Sequence, residues 1–443
     1  MPEAPSKEYP VVIAGAGWAG LATAVELSTH GIPVLLLEAA RQLGGRARSI
    51  RSGDMIVDNG QHLMIGAYRS LLTLMERVRV DPKKAFLRLP LTLNMRRGSR
   101  ISLYFRTPRL PPPLHLLWAI LTAHGLGFND RVQALRFGRK LPTLEIPASG
   151  DISVQALLHS EAQSPALIRK LWEPLCVATL NMHTGDASAR LFLQVLRETF
   201  LDLCRHSDLL IPRSELSAVL PRPCADYLER KGARVEMGQR VTGLQVVNDT
   251  VRGVKLHGRD IAASHVVLAT PHLISRRLMS HHAPLHTVCE QLAGLGNEPI
   301  ATLYLQYPPR TRLPTPVVGL ENTLSQWVFD RRVCGQPGMM AVVISARGEH
   351  TGMTADAVTA RVAGELRRAF PGWPAHRHSL LVREKRATFS ARPGIDCIRP
   401  DNATALHGLW LAGDYTATGL PATLEGAVRS GIRCANAILE QVR

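Results

Sequence analysis

Apolar positions along the chain change their period several times, and each change marks an element. Val11 to Ala14 is a continuous apolar run of strand length. A glycine-rich turn follows, after which Leu21, Ala24 and Leu27 recur at helical spacing until Gly31, a residue suited to a helix stop. Val34 to Leu37 repeats the buried-strand pattern and ends on Glu38. The chain therefore opens on strand, helix and strand, which is one parallel βαβ unit.

Arg240 to Val247 and Val251 to Lys255 alternate as the arms of a hairpin, and His265 to Thr270 is a strand running into a turn at Pro271. Ile300 to Tyr307, Met340 to Ala346 and Ser379 to Phe389 also read as strands, while Ala355 to Phe370 reads as a helix. Trp410 to Leu411 is a last short strand ending in Ala412-Gly413-Asp414. Pro421 to Ala427 opens the final helix, with Pro421 in its first turn.

The hexapeptide Gly15-Ala16-Gly17-Trp18-Ala19-Gly20 lies between the first strand and helix. Gly15 permits the tight turn, Gly17 lets backbone approach a pyrophosphate, and Gly20 lets helix and strand pack closely. The helix start then faces phosphate. Glu38 is placed to accept hydrogen bonds from an adenosine ribose, which disfavours a 2′-phosphate there. The expectation is an α/β fold with a Rossmann-type dinucleotide site.

Composition changes this picture little. The chain has 443 residues, 45% apolar and 20% charged, enough for a large core and for two domains or one interleaved double unit, and disorder is excluded. Seven cysteines lie far apart without a CxxC pair, so neither a disulfide framework nor a metal site is expected. Met1 to Pro10 is short, polar and of mixed charge, unlike a signal peptide, so a cytoplasmic location is expected. No apolar run reaches the roughly 18 to 20 residues that span a bilayer.

Charge has more to say through its placement than through its sum of +17. Nucleic acid would suit that sum, but no reading motif accompanies it, and none is expected as a partner. From Lys83 to Asn129 there is no acidic residue, while Lys83, Lys84, Arg88, Arg96, Arg97, Arg100, Arg106 and Arg109 are basic. Pro111 to Pro113 and an apolar run from Leu114 to Phe128, containing Trp118, come next. A protein resting on an anionic membrane would present such a pair of segments. A solvated basic surface beside a buried helix fits them equally well.

Beyond Glu38 the chain continues Ala39-Ala40-Arg41-Gln42-Leu43-Gly44-Gly45-Arg46, in which Gly44-Gly45 allows close backbone approach and Arg46 adds a cation. The run from Val11 to Arg46, with Gly413-Asp414 and Pro421-Ala422-Thr423-Leu424-Glu425-Gly426-Ala427, resembles the FAD-dependent amine oxidase and phytoene desaturase superfamily. The stretch Asp58-Asn59-Gly60-Gln61-His62 to Gly66-Ala67-Tyr68 is similar to the bacterial hydroxysqualene dehydroxylases of hopanoid synthesis, once described as squalene-associated desaturases. Trp172-Glu173-Pro174-Leu175, Ala178 to Asn181 and Thr418 to Gly431 support the same resemblance over nearly the full length.

The resemblance implies FAD held by Gly15, Ala16, Gly17, Trp18, Ala19, Gly20, Glu38, Ala39, Gly44, Gly45, Arg46, Asn59, Gly60, Gln61, His62, Val241, Ala269, Gly413, Asp414, Pro421, Ala422 and Thr423. Residues 1–82, 215–272 and 395–443 would form a discontinuous FAD-binding domain. Residues 83–214 and 273–394 would form an interleaved α+β substrate domain, a mixed sheet plus helices.

It also implies reductive dehydroxylation of hydroxysqualene to squalene, with hydride passing from N5 of the reduced flavin to the carbon losing hydroxyl. That carbinol is allylic, so the enzyme needs a proton donor and a dry pocket. His62 is the first choice of donor and Glu173 the second, whereas Asp58, Asp414 and Glu425 fit organising roles. Such a substrate is insoluble in water, which favours the membrane-facing reading of Leu114 to Phe128, with peripheral attachment at the inner face and neighbouring squalene-pathway enzymes as partners. A carotenoid or squalene desaturase, or a flavin-containing lipid-binding assembly partner, would carry the same flavin motifs. An amine oxidase is disfavoured by the low aromatic content of 5% and the basic charge.

Overall fold

The computed structural model describes residues 9–53 and 55–442, so most of the N-terminal segment read above for a signal peptide lies outside the described residues. Five strands form one parallel sheet in the order Arg234–Met237, Val34–Glu38, Val11–Ala14, His265–Leu268 and Leu409–Leu411. Every residue of Val11–Ala14 is buried, as a strand covered on both faces requires. The hairpin is present as Gly243–Val247 and Thr250–Lys255, and a third strand, Asp260–Ala262, extends it.

Two helices pack together beside the parallel sheet, Trp18–Thr29 and Leu424–Val442. They come so close that the Thr23 hydroxyl donates to the Gly431 carbonyl at 3.0 Å. A Cβ at Gly431 would overlap the carbonyl oxygen of Ala19. The last helix starts at Leu424, three residues later than Pro421 had suggested. Thr423 explains the shift, because its hydroxyl accepts from the Gly426 N–H at 3.0 Å and so caps the helix there.

The second large sheet has seven strands in the order His378–Thr388, Glu298–Gln306, Met339–Ser345, Trp327–Asp330, Val317–Leu320, Thr92–Arg97 and Arg100–Arg106. Neighbours are antiparallel except Val317–Leu320 beside Thr92–Arg97. Alternation along its strands divides the side chains between two faces. Leu303, Leu305, Val342 and Ile344 pack under the Ala355–Ala369 helix with Val358, Val362 and Leu366. Tyr304, Phe329, Ala341 and Val343 face the other way, toward Val57 and Ile211. The strands of the parallel sheet fall at 11–38, 234–237, 265–268 and 409–411, and those of the seven-stranded sheet at 92–106 and 298–388. We propose the division into domains on that distribution.

Gly431 and Gly138 give opposite expectations for the same substitution. Gly431→Ala should cost about 1 to 3 kcal/mol in denaturant unfolding, because backbone must move to admit the methyl. Gly138→Ala, in the Phe128–Lys140 helix with nothing within 4 Å of the new Cβ, should instead stabilise by roughly 0.5 to 1 kcal/mol.

Candidate functional site

A cavity of about 780 Å³ lies where the carboxyl ends of the parallel strands meet the inner face of the seven-stranded sheet. Crevices at that end of a parallel sheet are where such folds take ligands. Its wall is of two kinds. One part is glycine-rich and charged, with Gly15, Gly17, Glu38, Gly45 and Arg46. The other is apolar: Leu93, Leu175, Phe192 and Leu196 meet Phe329 and Val343 from the seven-stranded sheet.

Gly15, Gly17, Trp18, Ala19, Glu38, Ala39, Gly44, Gly45, Arg46, Asn59, Gly60, Gln61, His62, Val241, Ala269, Gly413, Asp414, Pro421, Ala422 and Thr423 all line this cavity. Ala16 and Gly20 are not in its lining. The Ala16 N–H donates to Glu38 at 2.8 Å, and a Cβ at Gly20 would overlap the Gly15 carbonyl.

The chemistry of the wall fits a dinucleotide. Gly17 caps the Trp18–Thr29 helix without a side-chain hydrogen bond, and no acid occupies its first turn, so the N–H groups there remain for an anion. A Cβ on Gly17 would meet nothing within 4 Å, which makes it an open approach rather than a packing glycine. Gly45, at φ +59, lies behind it. Glu38 accepts from Ala16 and Ala40, both at 2.8 Å, one on each oxygen, and each oxygen keeps a second lone pair for a hydroxyl. Arg46 donates to Asp414 at 2.5 Å and to the Ala387 carbonyl at 2.6 Å, two of its five N–H groups.

His62 reaches the wall with its Nδ1 donating to the Gly60 carbonyl at 2.7 Å. A carbonyl only accepts, so the proton is on Nδ1 and the lone pair of the neutral ring is on Nε2. Burial lowers the imidazole pKa, and it prevails over the opposing pull of the Gly60 bond and Asp58. The neighbouring Gln61 is held by Arg331 at 2.7 Å, and Arg331 also pairs with Asp58 at 3.0 Å, both of these charged groups being buried. Asp58 accepts as well from the Leu216 N–H at 2.8 Å, and its carbonyl takes the Tyr304 hydroxyl at 2.8 Å. It therefore anchors the segment before the cavity.

Glu173 is elsewhere. One oxygen meets His183 at 2.6 Å, and the other takes the Thr184 hydroxyl at 2.6 Å and the Thr184 N–H at 3.0 Å. Burial raises its pKa, but these bonds outweigh burial and leave the carboxyl below its usual range, while the same partner raises His183. Glu173 lies outside the cavity lining and its carboxylate ties chain segments together, so the proton-donor role expected of it is not carried into the proposal. Glu425 accepts from the Ser70 and Leu71 N–H groups at 3.0 and 2.9 Å, capping the Arg69–Arg77 helix from another part of the chain.

Arg399 had no signal in the sequence. It is buried and donates to the carbonyls of Asp414 and Leu420 at 2.9 and 2.7 Å, to the Thr418 hydroxyl at 2.9 Å and to the Thr416 carbonyl. The loop that carries Gly413 to Thr423 to the cavity is thus held from behind by one guanidinium. Its acceptors are mostly backbone oxygens, which every residue has, so no residue pattern announces them.

Known proteins resemble this chain over almost all of its length. The family described as flavin containing amine oxidoreductase matches residues 18–439. A hydroxysqualene dehydroxylase from Rhodopseudomonas palustris is 31% identical, covering 97% of this chain and 98% of that protein, and one from Sinorhizobium fredii is 30% identical with the same coverage. A 15-cis-phytoene desaturase from Glycine max is 25% identical over 98% of this chain and 80% of its own length. Among solved structures, an oxidoreductase from Methanosarcina mazei superposes with a TM-score of 0.73 at 16% identity, covering 97% of this chain and all of that one. Cyclohexylamine oxidase from Brevibacterium oxydans gives 0.68 at 15% identity, covering 98% and 99%. These two likenesses establish the fold.

The Glu173–His183 pair carries a pH signature. Its stability from Glu173 is present above pH 4.5 and is lost as pH falls through the lowered folded pKa. That from His183 is full below pH 6.5 and is lost as pH rises through its raised folded pKa. Glu173→Gln should therefore cost more stability near about pH 6 than near about pH 9 in urea melts, by no more than about 1 kcal/mol because His183 is half-exposed. Flavin content should not change.

Proposed function

The chain belongs to the flavin-containing amine oxidoreductase family, grouping with its hydroxysqualene dehydroxylases, and is an FAD-dependent oxidoreductase; from that premise we propose that it removes the hydroxyl of hydroxysqualene to form squalene. The observation that carries this reading is a single cavity in which the dinucleotide cradle and a hydrocarbon-lined space are continuous. Bound FAD, in its reduced form, supplies the hydride.

The chain's own residues divide the remaining work. Glu38, Arg46, Asp414 and the uncapped start of the Trp18–Thr29 helix would hold the dinucleotide, and the Asn59 to His62 segment lines the same cavity. Leu93, Leu175, Phe192, Leu196, Phe329 and Val343 exclude water from the isoprenoid. As the allylic C–O bond breaks, the departing oxygen takes a proton and leaves as water. We assign that proton to His62, which gives it from Nε2 when the ring is an imidazolium.

A specific observation favours one second reading. Neutral His62 presents a lone pair at Nε2, and that suits proton removal, the step a desaturase needs, as in the phytoene desaturase relatives. The two directions have opposite pH signs. We further propose that the isoprenoid comes from the inner face of the cell membrane and passes between neighbouring squalene-pathway enzymes. No helix among the described residues is long and apolar enough to cross a membrane.

Anaerobically reduced holoenzyme mixed with detergent-dispersed hydroxysqualene should regain oxidised flavin absorbance and yield squalene in equal amount. Inert reduced enzyme, with oxidised enzyme instead dehydrogenating squalene or a carotene, would replace the proposal with the desaturase. Dehydroxylation through His62 should accelerate as pH falls below the usual imidazole pKa of 6.5, and His62→Gln should flatten that profile while flavin stays bound.

A further inference from the structure

Surface helices of water-soluble proteins turn their apolar stripe toward the core. The Leu114–Thr122 helix buries His115 and Ala119 and leaves Leu114, Leu117, Trp118 and Leu121 exposed, each 38% or more. Their spacing of three, one and three residues puts all four on one face. Leu110 just before the helix is also exposed, and Phe128 just after it is 80% exposed. Six of the thirteen exposed large apolar side chains among the described residues thus lie within residues 110–128. Apolar exposure this concentrated marks an interaction surface, whereas scattered single residues do not.

The rim of this face is cationic. The Arg100–Arg106 strand is joined to the end of the helix by paired backbone bonds, Tyr104 to His124 at 3.1 Å and back at 2.9 Å. On that hairpin Arg97, Arg100 and Arg106 are exposed and have no ion-pair partner among the described residues. With no acid between Lys83 and Asn129, nothing in the segment neutralises them. A hydrocarbon layer under a negatively charged surface satisfies both halves, apolar side chains below and guanidinium groups at the phosphates.

The same hairpin leads to the cavity. Thr92 lines the cavity wall between Leu91 and Leu93 and pairs with Arg106 in the sheet. Leu110 is four residues beyond Arg106, at most about 14 Å of chain. We propose that the face formed by Leu114, Leu117, Trp118 and Leu121 docks on an anionic lipid bilayer, bringing the substrate wall of the cavity to the membrane. This rests on the isoprenoid reading above for its purpose, but not for its geometry.

Sedimentation with vesicles tests it, using the FAD-loaded full chain. Parent protein should bind equimolar phosphatidylcholine–phosphatidylglycerol vesicles far better than phosphatidylcholine alone, and added salt should weaken the binding. The double variant Leu117→Ser, Trp118→Ser should bind at least about tenfold more weakly. Arg97→Glu with Arg100→Glu should lose the preference for anionic vesicles. Each variant alters only exposed side chains, and retained flavin absorbance and melting temperature check that it is folded. Undiminished binding by the Leu117, Trp118 variant overturns the proposal, as does a parent that ignores vesicles and uses this face on a protein. Turnover of detergent-dispersed hydroxysqualene is read separately. If parent and variants all fail there while vesicle binding follows the expected order, the dehydroxylase reading falls and the docking face stands.

Discussion

Backbone N–H groups at a helix start need a partner, and a helix whose first turn has neither a capping side chain nor an acid takes it from a distant side chain, as the Arg69–Arg77 helix does from Glu425, or from water or a ligand. The Trp18–Thr29 helix is such a helix, and the architecture around it follows from keeping that start open. Gly15, at φ +107, makes the turn, since a Cβ there would press on the Ala269 carbonyl at 2.6 Å. Gly431 on the last helix keeps the opposite side close. Glu38 ties the loop to the neighbouring strand through Ala16. An anionic dinucleotide would complete this arrangement, at one end of a cavity whose far part carries Leu93, Leu175, Phe192, Leu196, Phe329 and Val343.

Two buried arginines hold the segments that join these environments. Arg331 links Asp58 to Gln61 and so sets the segment that ends in His62. Arg399 gathers the carbonyls of the loop that ends in Thr423. Desolvating a guanidinium is costly, and each is satisfied by several oxygens, so each enforces one loop geometry rather than a choice among several. In the proposed dehydroxylation a cation develops on the substrate, and two fixed loops beside an apolar sheet face would limit the water that reaches it.

The parts of the fold visible in the sequence are those whose physics is local. Val11 to Glu38 could be read directly, because strand period, glycine turn and terminal acid lie within one continuous stretch. The long strands of the seven-stranded sheet were also visible from their apolar runs, as was the Ala355–Ala369 helix. Long-range polar ties were not. Glu173 stands beside a proline in a motif that suggested chemistry, and only folding brings His183 and Thr184 to its carboxylate. Arg399 serves backbone oxygens, and Glu425 caps a helix some 350 residues away in sequence, so neither role leaves a local pattern. The pattern of the apolar run at Leu114 serves a core or a membrane equally well, and only the water-insoluble substrate implied by the resemblance favoured the membrane.

The proposed dehydroxylation requires flavin and an uncharged isoprenoid to share one cavity. Titrating the oxidised holoenzyme with squalene in detergent, and separately with cyclohexylamine, tests it through the flavin spectrum. Squalene should give a saturable, one-to-one perturbation of the flavin bands as water leaves the ring, and the amine should cause no anaerobic bleaching. Bleaching by the amine, with squalene leaving the spectrum unchanged, would contradict it.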